Sequence, residues 1–370
     1  MFKETTAYID KLTKEKKLPL LDVKVYKNHK EIYRHCTSFT SRFGENDKLC
    51  MFSCTKVLTA VCAMKLVEEG KIELDAPVSN YIPEFKHAYT VDESGIKHSE
   101  VILVRHLFTM SSGFDYKITR PEILKLSREY YESAGTVDVI CTLIKDPLCF
   151  HPGERFLYSL SHDALGALIE AVTGSSLAEY TRDNVFIPLG MKDSTMCASD
   201  YIENPPINHD ITENGYEVEK GNTYKHFHPT KNYSSGGASL ISTVNDYAIF
   251  ADTLASGGIG ANGYRLINSE MIEKMKEKQF DSVNVKNTFT CVQGKDYGYG
   301  LGVRVRTVPL ECGIPVGEFG WDGAAGSYVL VDTDNGISIT MGMNILEWPK
   351  VFAGEHLEIA KRIYSEITKS

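Results

Sequence analysis

A chain of 370 residues, 42% of them apolar and with a net charge of −9, has the material for a large core and a length typical of about two domains. No apolar run approaches the ~20 residues that span a bilayer, and no basic stripe offers a footprint for nucleic acid or an anionic membrane, so neither is expected as a partner. The nine cysteines form an odd set without C-x-x-C pairs, and the start Met1-Phe2-Lys3-Glu4 lacks the apolar stretch of a signal peptide; free thiols and a cytoplasmic protein are the expectation.

Residues 3–17 read as a polar, lysine-rich helix ending near Pro19. Residues 21–27 and 32–39 are strand-like around Asn28-His29-Lys30, which predicts an early antiparallel hairpin. Next comes Ser53-Cys54-Thr55-Lys56, an S-x-x-K sequence that opens a helix. Its apolar run Val57, Leu58, Val61, Cys62, Met64, Leu66, Val67 ends at a capping Gly70. Residues three apart share a helix face, so Ser53 and Lys56 point the same way from the first turn. A hydroxyl, an amine and the positive end of the helix dipole then meet, which are the needs of an activated serine. Taken alone, the pattern is equally that of a serine-capped helix.

Leu74-Asp75-Ala76-Pro77 leads into a loop-rich middle section with helices predicted at 104–110, 121–133, 137–145, 161–173 and 177–185. His151-Pro152-Gly153 turns the chain and leaves Tyr158 in a loop entering the helix 161–173. On its own such a tyrosine reads as packing, and Asp163 reads as a cap of that helix. The pattern changes at Tyr233-Ser234-Ser235-Gly236-Gly237, and a helix follows over 244–256. In Phe319-Gly320-Trp321-Asp322-Gly323-Ala324-Ala325-Gly326-Ser327-Tyr328 the glycines allow either close approach of a ligand or a tight hairpin. Strands are predicted at 298–305, 328–332 and 336–344, with a hairpin turn at Asp332-Thr333-Asp334-Asn335-Gly336 and a closing helix over 350–368. Strands from both chain ends imply a mixed α/β fold of the α+β type. Residues 1–75 with 237–370 form an antiparallel sheet domain flanked by terminal helices. Residues 76–236 form a mainly helical domain, with the active site between the two.

In this order the segments resemble the serine β-lactamase-related hydrolases: class C β-lactamases, penicillin-binding-protein-like peptidases and, closest, family VIII carboxylesterases. The resemblance spans roughly residues 20–365. Phe52-Ser53-Cys54-Thr55-Lys56-Val57 matches the first motif, and Leu66-Val67-Glu68-Glu69-Gly70-Lys71-Ile72-Glu73-Leu74-Asp75-Ala76-Pro77-Val78 the signature after it. Val104-Arg105-His106-Leu107-Phe108-Thr109-Met110-Ser111-Ser112-Gly113-Phe114 resembles the family's R-H-L-L-T-H-T-S-G, with Met110 in place of histidine. Pro188-Leu189-Gly190-Met191 and Gly236-Gly237-Ala238-Ser239 match two further segments. The resemblance implies a β-lactamase/penicillin-binding-protein-like fold, Ser53 as the acyl-accepting nucleophile, and Lys56 and Tyr158 as candidate bases. It also implies an oxyanion hole from the backbone N–H groups of Ser53 and Ala324, with no metal or other cofactor. An unperturbed lysine or tyrosine, with a pKa of about 10, is a poor base at neutral pH, so the two are expected to titrate as a coupled pair.

Two departures narrow the function. The family's Y-x-N motif is Tyr158-Ser159-Leu160, which lacks the side-chain amide, and K-T-G or H-T-G has become Trp321-Asp322-Gly323, which lacks the cation. A substrate carboxylate ~5 Å from Asp322 at an effective dielectric of ~20 is repelled by ~3 kcal/mol, unless Arg304, Arg306 or Lys231 compensates. Trp321 offers an aromatic wall for an uncharged group. Trp321, Asp322, Gly323, Ser159 and Leu160 are the expected substrate-binding residues. The expectation is a carboxylesterase that forms an acyl-enzyme on small uncharged esters or amides, with acyl transfer as an option. The alternatives are a β-lactamase or D-Ala carboxypeptidase, and a catalytically idle binding protein of the same fold. An α/β-hydrolase is disfavoured for want of a G-x-S-x-G elbow, and zinc on His209, His226 and His228 for want of a recognisable ligand spacing.

Overall fold

The structure is a computed structural model describing residues 2–212, 215–280, 296–346 and 354–369. Among the described residues, seven strands from both chain ends form one antiparallel sheet: β1 (Leu21–Lys27), β2 (Lys30–Thr37), β3 (Tyr297–Tyr299), β4 (Arg304–Arg306), β5 (Phe319–Asp322), β6 (Tyr328–Asp332) and β7 (Ile337–Gly342). The order is β2-β1-β7-β6-β5-β4-β3. The first strand joins the last, with Val23 opposite Met341 and Val25 opposite Ile339.

The early hairpin is tighter than expected. Asn28 and His29 alone make the turn, with φ of 49° and 65°, and Lys30 already pairs with Lys27. Two left-handed residues match the twist of the flanking strands. The expected strand over 298–305 is instead the hairpin β3–β4. It turns through Gly302 at φ 84°, where a Cβ would lie 2.5 Å from the Ala60 side chain. The glycine-rich segment before residue 328 contains strand β5, so Trp321 and Asp322 lie on a strand rather than in a loop.

Helices α1 (Lys3–Lys16) and α5 (Glu355–Thr368) cover one face of the sheet, where Ile9, Leu12, Ile359 and Ile363 meet Val23, Leu330 and Ile339. Residues 350–353 of the expected closing helix lie outside the described residues. The other face carries α2 (Thr55–Glu68) and α4 (Val244–Ala255), and behind α2 packs α3 (Ser161–Thr173). With sheet on one side and α3 on the other, α2 is buried nearly all round, as its apolar sequence requires. It closes at Gly70, whose φ of 69° lets Lys71 N–H return to the Leu66 carbonyl at 2.9 Å. Helices of the middle section run shorter than the sequence suggests at Val104–Phe108, Pro121–Glu129 and Thr136–Ile140, whereas the one expected over 177–185 runs from Leu177 through a π-helical stretch at Arg182–Phe186 to Leu189. Among the described residues, no helix is long and apolar enough to cross a membrane, and eight cysteines are free thiols.

Candidate active site

Ser53 sits where an edge pairing gives way to α2. Leu49–Cys50 pairs with Ile241–Ser242, and Met51 N–H continues to the Leu240 carbonyl at 2.9 Å. Phe52 then turns with φ 41°, a left-handed conformation unusual for a bulky side chain. A single 3-10 turn, Phe52–Cys54, places Ser53 at the mouth of α2, half-buried.

Lys56 is fully buried one turn on. Its Nζ has three oxygens in reach, Ser53 Oγ at 3.1 Å, the Gly237 carbonyl at 2.9 Å and Tyr116 Oη at 3.4 Å. That number matches the three donors of an ammonium. It also lies over the rings of Tyr158 (4.7 Å) and Tyr116 (5.4 Å). Burial pulls the ammonium's pKa down, but Tyr116, Tyr158 and Asp163 outweigh it and hold Lys56 above the usual lysine range. The Tyr158 hydroxyl donates to Ser53 Oγ at 2.6 Å. Ser53, Lys56 and Tyr158, singled out from sequence, are thus in mutual contact.

An aromatic ladder backs this triad. Tyr116 stacks on Tyr158 (5.3 Å, 4°), and Tyr158 on Trp321 (5.8 Å, 17°). Phe227 closes edge-on against Tyr116 and Phe52, and Tyr299 packs edge-on against Trp321. Burial pushes the Tyr116 hydroxyl well above the usual tyrosine pKa despite Lys56.

Beside Ser53 the chain turns from β5 into β6. Gly323 N–H donates to the Ser327 carbonyl (2.8 Å) and Gly326 N–H to the Gly323 carbonyl (3.0 Å), which leaves Ala324 exposed at the tip. Ser327 Oγ ties the turn to the Met51 carbonyl at 2.7 Å. A Cβ on Gly323 would come within 2.4 Å of that same carbonyl, so the close approach requires glycine. Among the described residues no acceptor takes up the N–H of Ser53 or Ala324.

Several expected site residues point elsewhere. Asp322 is buried, with one carboxylate oxygen 3.3 Å from Arg304 Nη1 and the other 3.1 Å from His356 Nδ1. Arg304 in turn pairs with Glu318 at 3.2 Å, and Glu318 with Arg306 at 3.1 Å. The expected repulsion of a substrate carboxylate by Asp322 is therefore offset by a buried guanidinium, and Asp322 shapes the site from behind. Ser159 is fully buried and joins Ser161 Oγ (2.7 Å) and Met110 Sδ (3.7 Å). Leu160 is buried in the core. Asp163 does not cap α3: it accepts from Tyr233 Oη (2.7 Å) and Ser235 Oγ (2.5 Å) and flanks Lys56 across Gly237. Burial raises the Asp163 carboxyl's pKa above the usual range although Lys56, Ser235 and Tyr233 favour the carboxylate. Lys231 pairs with Glu132 on the surface. Of the histidines weighed for zinc, His228 lies between the Tyr224 carbonyl and Ser239 Oγ, and His209 against the Asn344 carbonyl. Among the described residues no cluster of three His, Cys, Asp or Glu suits a metal.

The sequence reading passed over Tyr116 and the Gly237 carbonyl. Both lay in segments already singled out, Tyr116 just beyond Ser111-Ser112-Gly113-Phe114 and Gly237 at the change of pattern near residue 236.

Known proteins resemble this chain in sequence and fold. A family model described as Beta-lactamase matches residues 5–362. Esterase EstB of Burkholderia gladioli is 27% identical over 371 aligned positions, covering 91% of this chain and 89% of that protein. Among solved structures, simvastatin synthase (LovD) from Aspergillus terreus has a TM-score of 0.80 at 17% identity, over 99% of this chain and 98% of that one. EstCE1, described as a hydrolase with promiscuous acyltransferase activity, has a TM-score of 0.77 at 20% identity, over 98% and 97%. These neighbours share the β-lactamase/penicillin-binding-protein-like fold. With the family match running nearly end to end, this chain belongs to the beta-lactamase family and is a serine hydrolase.

Proposed function

We propose that the protein is a carboxylesterase, also able to transfer acyl groups, that works through an acyl-enzyme on Ser53. The site lies between the sheet domain (residues 1–75 with 237–370) and the mainly helical domain (residues 76–236). The observation that carries the reading is the Ser53 hydroxyl held at 2.6 Å by Tyr158 and 3.1 Å by Lys56. Lys56, kept cationic by its oxygen cage, stabilises the negative charge that develops on Ser53 Oγ. Tyr158, acting as the base in its ionised form, takes the Ser53 proton as Oγ attacks the ester carbonyl. The oxyanion receives the N–H groups of Ser53 and Ala324, each worth ~2.7–4 kcal/mol at the transition state. The C–O bond to the alcohol breaks as Tyr158 returns the proton to it. Water then attacks the acyl-enzyme along the same proton path, or a second alcohol attacks and acyl transfer results.

An uncharged acyl group suits the Trp321 wall, and Asp322, engaged by Arg304 and His356, offers no cation to a carboxylate. This favours esters over β-lactams or D-Ala peptides. The esterase and acyltransferase names of the relatives agree with it. The test is p-nitrophenyl butyrate hydrolysis by wild type and Ser53→Ala. Turnover abolished in the variant establishes the nucleophile. A folded wild type that neither turns over the ester nor is labelled by a fluorophosphonate returns weight to an idle binding protein.

A further inference from the structure

The C-terminal helix α5 sends one side chain back under the active site. His356, only 3% exposed, spans both ends of the turn that carries Ala324. Its Nδ1 lies 3.1 Å from Asp322 Oδ1, at the end of β5, and its Nε2 lies 3.2 Å from the Gly326 carbonyl, where the turn closes. Each ring nitrogen thus faces an oxygen that only accepts, one at either end of the turn. The ring packs on Tyr328 at 4.9 Å. On Tyr328 also rests the guanidinium of Arg304 (4.7 Å), which holds the other Asp322 oxygen at 3.3 Å. Asp322 is thus gripped from β4 and from α5, while the far side of the turn is tied to Met51 through Ser327.

We infer that His356 is a positioning residue: it clips Asp322 to Gly326 and so sets the distance between the Ala324 N–H and Ser53. The inference rests on the reading of Ser53 and Ala324 as the oxyanion donors. Ser327 anchors the turn to the nucleophile's own strand end and Ile345 N–H holds the Ala325 carbonyl at 3.3 Å; the clip adds a restraint across the two ends of the turn, on its tilt toward or away from Ser53. An oxyanion donor acts only when aimed at the place where charge develops, and a misplacement of about 1 Å costs about a hundredfold in rate. The clip acts on the transition state, because the neutral ester gains little from the same N–H in the ground state. It also supplies a reason for the unusual acid in the third motif: Asp322 is the handle by which the C-terminal helix holds the turn.

The test uses His356→Phe, which keeps a ring on Tyr328 but has no donor, and His356→Gln, which restores one amide donor. For both and for wild type, kcat and KM are measured on p-nitrophenyl butyrate, together with the rate of Ser53 labelling by a fluorophosphonate and the melting temperature. The expected result is a folded His356→Phe with kcat lowered about 10- to 100-fold. KM changes less than about twofold, labelling slows in step, and His356→Gln recovers much of the loss. A folded His356→Phe with wild-type kcat and labelling rate overturns the clip. If His356→Phe does not fold, His356→Leu, which also lacks a donor, decides: a lowered kcat at constant KM supports the clip, and a wild-type kcat overturns it. A wild type that is labelled but hydrolyses no ester defeats the esterase reading alone, since the labelling rates still decide the role of His356.

Discussion

The rings of Tyr116 and Tyr158 lie parallel within 4°, their centroids 5.3 Å apart, with the Lys56 ammonium over both. Tyr158 is therefore held between two aromatic faces, Tyr116 and Trp321, with its hydroxyl fixed on Ser53. Tyr116→Phe keeps the stack but removes an oxygen that Lys56 faces at 3.4 Å. It is expected to lower kcat on p-nitrophenyl butyrate about tenfold, less than the ~10²–10⁴-fold of a side chain that itself moves the proton. Tyr116→Ala also releases the Tyr158 ring, whose stacking is worth about 1 kcal/mol, and is expected to cost more. Equal, wild-type rates in both variants would show that Tyr116 is only packing.

Gly237 separates Lys56 from Asp163. A Cβ there would sit 3.0 Å from Lys56 Nζ and 2.8 Å from Asp163 Oδ2, so one of the two side chains must move. Lys56 is the longer and more easily displaced, and its shift breaks the 3.1 Å contact to Ser53. Gly237→Ala is expected to cut kcat by about 10²-fold or more while the protein still folds. Labelling of Ser53 at the wild-type rate in this variant would place the Lys56 contact outside the mechanism.

Much of this site was legible in the sequence because its groups are tied to short-range geometry. The spacing from Ser53 to Lys56 is one helical turn, and the turn–helix entry around Tyr158 follows from Pro152-Gly153 and the helix at Ser161–Thr173. The hairpin turn at residues 332–336 was readable for the same reason: Asp332 Oδ1 accepts from the N–H of Asp334 and Asn335 at 3.0 Å each, an interaction within three residues. What escaped depends on partners distant in sequence. Nothing local in Trp321-Asp322-Gly323 announces that Asp322 turns away from the pocket to Arg304 and His356. Residue type alone made Asp163 a cap, whereas Tyr233 and Ser235, some seventy residues on, take its oxygens. The break of 298–305 into β3 and β4 likewise follows from Gly302 meeting Ala60 of α2.

The group of Arg304, Arg306, Glu318 and Asp322 is buried, and each member depends on the others for charge balance. Burial raises the Glu318 carboxyl's pKa even with both guanidiniums beside it. Arg304→Met removes one cation from two acids and leaves buried charge uncompensated. The expected loss is about 3–5 kcal/mol of stability, read as a lower urea midpoint at unchanged slope. The joint replacement Arg304→Met with Glu318→Gln is expected to be less damaging than Arg304→Met alone, since it removes an acid together with its partner. A double variant as unstable as the sum of its parts would argue that the pair is uncoupled.

His228 offers a pH dependence whose sign is fixed by burial. It is 2% exposed and lies between the Tyr224 carbonyl (2.6 Å) and Ser239 Oγ (2.8 Å), and burial pulls its pKa down to about 4. The unfolded chain takes up a proton here below a pKa of about 6.5. The folded chain does not until about 4. A depressed folded pKa thus contributes stability above pH ~6.5 that is lost as pH falls toward 4. His228→Gln cannot titrate, so its deficit relative to wild type is expected to be largest at pH 8. By pH 5 the deficit should shrink by about 2 kcal/mol, at ~1.36 kcal/mol per pH unit. Other shifted groups, His106 and His162 downward and Asp22 upward, titrate in both proteins and cancel in the difference. Urea unfolding of the two proteins at pH 8 and pH 5 measures it directly. A deficit that stays constant would mean that His228 is protonated in the folded state, with Ser239 then serving as an acceptor for a second ring N–H.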